Sequence, residues 1–194
     1  MPITEADGGP APELATERLI LRPITSSDWP DVLRLAGDND VARWTASLQH
    51  PLSEQDAKTW IERRTQRQTS TGVGYVFSVI SKDDGAFIGV TGFHTDSGTS
   101  RADIGYWFGK PFWGQGYATE ALFCALEFAF DKLGHTVVAA TAFPDNGASM
   151  RVLEKAGFKV MRRDKRDIQR RGGVREFVQC EVDKAGFDLA VKQA

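Results

Sequence analysis

Apolar residues near the start of the chain fall on a two-residue period and then shift to a helical one. In ERLILRPI, Glu17 to Ile24, residues Leu19, Leu21 and Pro23 lie on one side and Arg18, Ile20 and Arg22 on the other. That pattern predicts an edge strand ended by its proline. Ser26 or Ser27 can cap a helix through Asp28, Trp29, Val32, Leu33 and Leu35. Ser53 opens a second helical stretch, SEQDAKTWIERRTQRQ, in which Ala57, Trp60, Ile61 and Arg64 share a face. Tyr75 to Ser81 is apolar on both sides and predicts a buried strand. Lys82-Asp83-Asp84-Gly85 is a hairpin turn signal, and Ala86 to His94 is the returning strand. Ala102 to Phe108 is the next strand. A long helix is predicted from about Gly116 to Lys132, where Ala118, Ala121, Leu122, Ala125, Phe128 and Ala129 recur at helical spacing. His135 to Phe143 is almost continuously apolar and reads as a central strand. Asn146 to Gly157 predicts a short helix, with Asn146 near its N-cap and Gly157 past its end. FKVMRRDKRDI and VREFVQCEV then form a closing hairpin around QRRGG. Without internal repeats or a second linker, this is one α/β domain with a mixed, mostly antiparallel sheet.

The domain is expected over residues 16–194. Residues 1–15, MPITEADGGPAPELA, are Pro-, Gly- and acid-rich and read as a disordered lead-in. They carry neither the basic start nor the apolar stretch of a signal peptide. No apolar run approaches the roughly 20 residues that span a bilayer. A formal net charge of -2 argues against general nucleic-acid or membrane-surface binding. Cys124 and Cys180 form no CxxC pair and suggest neither a disulfide framework nor a zinc site, so a reduced, cytoplasmic setting is expected. His50, His94 and His135 are scattered, with no HExxH motif, and no metal is expected.

The chemistry concentrates in IGYWFGKPFWGQGYATEAL, Ile104 to Leu122: a strand, a glycine-rich loop and a helix. Small residues let backbone N–H groups approach an anion, and the helix N-terminus adds favourable partial charge. Such a device suits a pyrophosphate. Two familiar phosphate motifs fail here. Gly109 to Gly114 has P-loop spacing, but Gln115 and Gly116 stand where Lys and Ser or Thr are needed. Gly114-Gln115-Gly116 begins a dinucleotide fingerprint, but Thr119 replaces its third glycine. A plain tight turn before a helix competes with the anion reading.

GYWFGKPFWGQGYATEAL resembles the acetyl-CoA loop of the GNAT superfamily, and more narrowly of its branch of ribosomal-protein N-terminal acetyltransferases, the Rim type. Gly116 and Ala118 match the broad pattern, while Trp113 occupies its first position, as is common in that branch. PDNGASMRVLEKAGF resembles the branch's Asn-x-x-Ser helix followed by Lys-x-Gly-Phe. TERLILRP and PLSEQDAKTWI resemble its first strand and second helix. The resemblance covers roughly Thr16 to Phe187. It implies a twisted sheet with helices on both faces and a splay between the fourth strand, around Tyr106 to Gly109, and the fifth. Acetyl-CoA is the implied co-substrate. Its pantetheine arm would pair with Tyr106, Trp107, Phe108 and Gly109 much as a strand would. The amides of Gly114, Gln115, Gly116, Tyr117, Ala118 and Thr119 would cradle the pyrophosphate. Asn146 would hold the arm or the splay, and Ser149 lies one helical turn on, facing the same way.

Acetyl transfer to an amine requires that the amine lose a proton, that the thioester carbonyl be polarised, and that the departing thiolate find a proton donor. Asp103 is a candidate base, against the reading of a surface strand aspartate. His94 competes for the same role, against a structural one. Many GNAT enzymes protonate the thiolate with a tyrosine from the helix after the fifth strand. No tyrosine follows Tyr117 here, so Ser149 is the candidate, against a helix hydroxyl satisfied by the preceding turn. Arg151 and Lys155 can reach the cofactor's 3′-phosphate or be ordinary surface charge. The five tryptophans are expected in the core or lining a cleft. Arg162 to Arg175 holds seven basic residues against Asp164 and Asp167, which reads first as a solvated hairpin and second as a contact for an acidic partner. That hairpin and Trp44 to Leu52 are expected to border the acceptor cleft. A peptide or protein N-terminal amine is the first acceptor. A small amine (an aminoglycoside, polyamine or amino acid) and a CoA-binding module without catalysis are the alternatives. Monomer and homodimer both remain open.

Overall fold

The period-two segment folds as its pattern predicts, with Leu19 and Leu21 fully buried. The computed structural model describes residues 11–45, 47–70, 74–95, 98–168 and 173–193. The strands are β1 (Leu14–Ala15), β2 (Leu19–Pro23), β3 (Gly74–Ser81), β4 (Phe87–Thr95), β5 (Arg101–Phe108), β6 (Val137–Ala142), β7 (Lys159–Ile168) and β8 (Gly173–Asp183). The helices are α1 (Trp29–Ala36), α2 (Asn39–Ala42), α3 (Glu54–Ser70), α4 (Tyr117–Glu127), α5 (Gly147–Lys155) and α6 (Lys184–Val191). The strands form one sheet in the order β1-β2-β3-β4-β5-β6-β8-β7. Among the described strands, β5 and β6 make the one parallel pair. Parallel neighbours need a crossover, which α4 supplies.

Each face of the sheet carries a core. On one, Phe77, Val79, Ile104 and Val138 pack with Leu122 and Leu126 of α4, Leu153 of α5 and Phe187 of α6. On the other, Phe87, Val90 and Trp107 pack with Val32 and Leu35 of α1 and with Ala57, Trp60 and Ile61 of α3. Helices therefore cover both faces. Regular structure begins earlier than the expected boundary at Thr16: Leu14 pairs with Leu21 and packs on the first core. Residues 1–10 of the expected lead-in lie outside the described residues, as do residues 169–172 of the expected QRRGG turn.

Three features differ from the sequence pattern. The helix expected to Lys132 is α-helical to Glu127 and continues as a wider π-type turn over Phe128–Lys132. The wider turn lets Phe128 reach Tyr75, Phe77 and Phe93 on the sheet while Phe130 packs on Phe187. Helix α2 is a single turn capped by Asp38, whose carboxylate accepts from the Asp40 amide at 2.8 Å. Helix α6 is capped by Asp183, which accepts from the Gly186 amide at 2.8 Å. A single turn such as α2 is too short to show a period; α6, although as long as α1, is not among the elements expected from the pattern.

The sheet opens at one place. Pairing of β5 with β6 runs from Arg101 opposite Val137 to Ile104 opposite Ala140 and stops there. Gly105 to Phe108 continue along β4 on their other edge. On the β6 side the chain turns away toward α5, with the Asn146 amide donating to the Phe143 carbonyl at 3.0 Å. Phe143, buried between the rings of Trp44 and Phe177, anchors that departure. This is the splay expected from the sequence. It lies between the fifth and sixth strands because the two-residue β1 adds one to the count.

The entry into α1 rests on a buried ion pair. Asp28 is 4% exposed and accepts from both terminal nitrogens of Arg22, at 2.6 and 2.9 Å, from the Thr25 amide at 2.9 Å and from the Ser78 hydroxyl at 2.8 Å. Burial alone would raise its pKa, but the bonds from Arg22, Thr25 and Ser78 outweigh it and hold the carboxyl below its ordinary value. A lowered folded pKa means that the stabilisation is complete above the unfolded value, about 4, and is lost as pH falls through the folded one. Asp28→Ala should cost about 1 to 3 kcal/mol, chiefly by leaving the Thr25 amide, the Ser78 hydroxyl and the half-buried Arg22 without their shared acceptor. Urea denaturation between neutral and acid pH checks both points: the wild type should lose stability below about pH 4 with a steeper slope than Asp28→Asn.

Candidate active site

The splay leaves a cleft of about 470 Å³ between the ends of β5 and β6. Tyr106, Trp107 and Phe108 line one wall, Thr141 and Ala142 the other, and α5 contributes Ser149, Arg151, Val152 and Lys155. Gly114, Gly116, Tyr117, Ala118 and Thr119 of the loop and α4 line it as well, as does Asn146. Ten of the twelve residues expected to hold a cofactor are thus brought together. Gly109 and Gln115 are not among the lining residues. Gly109 is buried behind the wall, where an added Cβ would lie 2.7 Å from a Leu35 methyl carbon. Gln115 turns away, its side-chain amide donating to the Pro111 carbonyl at 2.8 Å.

The loop owes its shape to two glycines and a tryptophan. Gly114 and Gly116 have φ of 75° and 83°, a left-handed conformation that other residues adopt only under strain. Gly116 is the N-cap of α4, so the free amides of its first turn face the cleft. The Trp113 indole N–H donates to the Phe108 carbonyl at 2.7 Å and ties the loop to the end of β5. Arg18 donates to the Gln115 carbonyl at 3.0 Å and to the Glu120 carboxylate at 2.7 Å. Burial pushes the Glu120 pKa up, but bonds from Thr16 and Arg18 more than offset it, and the carboxyl sits below its ordinary value.

Ser149 is satisfied across the cleft, not by its own helix turn. Its hydroxyl lies 3.0 Å from the Tyr106 hydroxyl, and either can be the donor. The Tyr106 phenol also lies 3.3 Å from the Ser149 carbonyl. Asn146 caps α5, its side-chain oxygen accepting from the Ser149 amide at 3.1 Å. A tyrosine therefore does reach the serine, from β5 instead of from the helix after the splay. The sequence places Tyr106 on the strand Ala102 to Phe108, and the resemblance sets it against the pantetheine arm, but no local signal ties it to a serine in another element. Burial pushes the Tyr106 pKa up to about 12, with the Ser149 bond offsetting part of the rise.

A second cleft, of about 870 Å³, opens on the other face. Ile104, Gly105, Tyr106, Trp107, Thr141, Trp44 and Thr45 line both clefts, so the two meet at the splay. Asp103 and His94 both line the second cleft and sit directly opposite each other on β5 and β4. The two candidate bases are thus cross-strand neighbours, and Ser149 approaches from the first cleft. Trp60 and Arg64 of α3, Ser47, and Arg166 and Gln179 of the closing hairpin complete the wall. All four of the hairpin's described arginines already have partners: Arg162 with Gln179, Arg163 with Glu176, Arg166 with Asp164 and Arg175 with Asp145. That accords with a solvated hairpin, with Arg166 as its point of access to the cleft. Among the described residues, no three His, Cys, Asp or Glu side chains gather as a metal site, and no helix is long and apolar enough to cross a membrane.

The family model described as "Acetyltransferase (GNAT) domain" matches residues 18–159. The chain is 32% identical over 150 residues to uncharacterised N-acetyltransferase YoaA of Bacillus subtilis, covering 76% of this chain and 83% of that protein. Its fold is similar to that of Mycobacterium smegmatis RimJ, solved in complex with CoA-disulfide, with a TM-score of 0.78, 21% identity and 96% of each chain covered. It is likewise similar to the ribosomal-protein-S5-alanine acetyltransferase of Vibrio fischeri, with a TM-score of 0.77, 18% identity, and 91% of this chain and 99% of that one covered.

The Tyr106 environment makes a direct prediction. A group raised to about 12 stays protonated, and so remains a hydrogen-bond donor, throughout the range in which an ordinary tyrosine, near 10, ionises. In an ultraviolet difference titration of wild type against Tyr106→Phe, the tyrosine lost should ionise near 12. Ionisation at the ordinary value would mean that the phenol is not enclosed.

Proposed function

The chain belongs to the GNAT acetyltransferase family and is an acetyl-CoA-dependent N-acetyltransferase; we propose that its acceptor is the N-terminal amine of a peptide or protein. The observation that carries the reading is the meeting of two clefts at the unpaired end of β5. A thioester lying along one cleft is reachable from the other. The fold's likeness to an S5-alanine acetyltransferase supports the peptide over a small amine.

In this reading the cofactor occupies the first cleft. Its pyrophosphate lies over the amides of Gly114 to Thr119, where the helix terminus favours negative charge. Gln115 contributes through its backbone alone, and Gly109 by admitting Leu35 behind the wall. Arg151 and Lys155 reach toward the 3′-phosphate from α5. The pantetheine amides take the place of β6 along Tyr106 to Phe108, with Asn146 at the turn into α5. The residues present fit such a ligand, because the strand edge they leave open is what an extended amide chain pairs with.

The amine enters from the second cleft and gives its proton to Asp103, through water, with His94 across the strand pair. The neutral nitrogen attacks the thioester carbonyl and forms the C–N bond as the carbonyl oxygen becomes negative. The attached nitrogen, now positively charged, gives up its second proton, the oxyanion collapses and the C–S bond breaks; the sulfur takes a proton from the Ser149 hydroxyl as the nitrogen's proton passes, through water, to the Ser149 oxygen. Tyr106, donating to the Ser149 oxygen, leaves the serine's own proton free to point at the sulfur.

Three measurements test the reading. Thiol release from acetyl-CoA, screened over peptides and small amines, should favour peptides. Release with small amines alone overturns the acceptor, and CoA binding without release to any amine overturns the catalysis. Thr119→Glu should abolish most CoA affinity in calorimetry. A carboxylate in the first turn suits the helix but opposes a phosphate there, and this variant avoids the strain that any side chain at Gly116 would bring. For the proton path, Ser149→Ala and Tyr106→Phe should each lower kcat by about 10² or more with little change in CoA affinity. Asp103→Asn should flatten the acid limb of the pH–rate profile. If His94→Gln alone removes that limb, the base is His94.

A further inference from the structure

Glu120 stands where a carboxylate should hinder the cofactor. It lies in the first turn of α4, next to the amides proposed for the pyrophosphate, and two like charges at one helix terminus compete for the same favourable field. Its carboxylate is nevertheless drawn inward. Thr16 and the Arg18 amide donate to one oxygen, and the Arg18 guanidinium closes on the other at 2.6 and 2.7 Å. The same guanidinium uses its remaining arm on the Gln115 carbonyl at 3.0 Å and lies over the Tyr117 ring, 4.6 Å from its centroid.

We infer that Arg18 is a positioning residue for the pyrophosphate loop, and this rests on the placement of the pyrophosphate over Gly114 to Thr119. In a planar trans peptide the C=O and N–H point in opposite directions. Drawing the Gln115 carbonyl toward Arg18 therefore turns the Gly116 N–H the other way. Gly116 lines the first cleft, whereas Gln115 and Arg18 are not among its lining residues. Arg18 thus does two things from the bend before β2, outside the site: it aims an amide at the anion, and it neutralises the carboxylate that would repel that anion. Its planar fork is what permits both, since one guanidinium can bond two acceptors at fixed angles.

Calorimetry with CoA and with pantetheine, which lacks the phosphates, separates this role from a general structural one. Arg18→Ala should weaken CoA binding about tenfold, the loss of one charge-assisted bond's worth of affinity, and leave pantetheine binding unchanged. The KM for acetyl-CoA should rise by a similar factor, with a much smaller change in kcat. Arg18→Lys keeps the charge but not the fork, and should show a smaller loss, again confined to CoA; it carries the test if the alanine variant does not fold. CoA affinity unchanged in both variants, or equal losses for CoA and pantetheine, overturns the inference. Thr119→Glu distinguishes the two levels. If it abolishes CoA binding while Arg18→Ala does not weaken it, the role of Arg18 alone is wrong. If Thr119→Glu binds CoA normally, the placement of the pyrophosphate falls, and the inference with it.

Discussion

Everything at this site depends on two parallel strands that stop pairing after Ile104 and Ala140. A parallel pair needs a crossover helix, so α4 must begin at the same end of the sheet where β5 finishes. The helix that follows β6, α5, starts at that end as well. Two helix N-termini and an unpaired strand edge therefore face one gap. Continued ladder pairing would fill the gap with backbone; its interruption leaves polar groups that an extended amide chain can satisfy.

The interruption has a structural cause on each side. On β6, Phe143 is buried between Trp44 and Phe177, and the chain turns directly into the Asn146 cap of α5. On β5, the following loop is bound back to the strand by the Trp113 indole and outward to the bend before β2 by Arg18. The gap is thus held open by packing on one wall and by hydrogen bonds on the other. Side chains from both walls then meet across it, as Tyr106 and Ser149 do. Because Gly105 carries no side chain and Thr141 is exposed, the two clefts communicate at this point, and a nucleophile on one face can reach a thioester on the other.

Short-range chemistry was legible in the chain itself. The strands from Leu19, Tyr75, Ala86 and Ala102, the helix from Tyr117, and the Gly-rich loop between strand and helix follow from periodicity, turn residues and caps within a few positions of one another. The single turn α2, the C-terminal α6 and the π-type turn are not among the elements expected from the pattern: α2 is too brief to show a period, and the π-type turn depends on where Phe128 and Phe130 must pack. The family resemblance added the splay and the role of the Asn146 helix, which no local pattern contains.

Pairings between distant residues were settled only by the tertiary structure. Ser149 was legible as a candidate, but its partner Tyr106 lies 43 positions away and was expected only as a contact for the pantetheine arm. Arg18 read as the outward face of an edge strand, yet it meets Glu120 across 102 positions. Asp103 and His94 became neighbours through the β4–β5 register, which a hairpin's loop and bulges decide. The sequence by itself determined which segments are strands and helices and which loop can face an anion, because those properties depend on adjacent residues. The tertiary structure alone decided which side chains share a proton or cancel a charge, because hydrogen bonds act over about 3 Å in space regardless of separation along the chain.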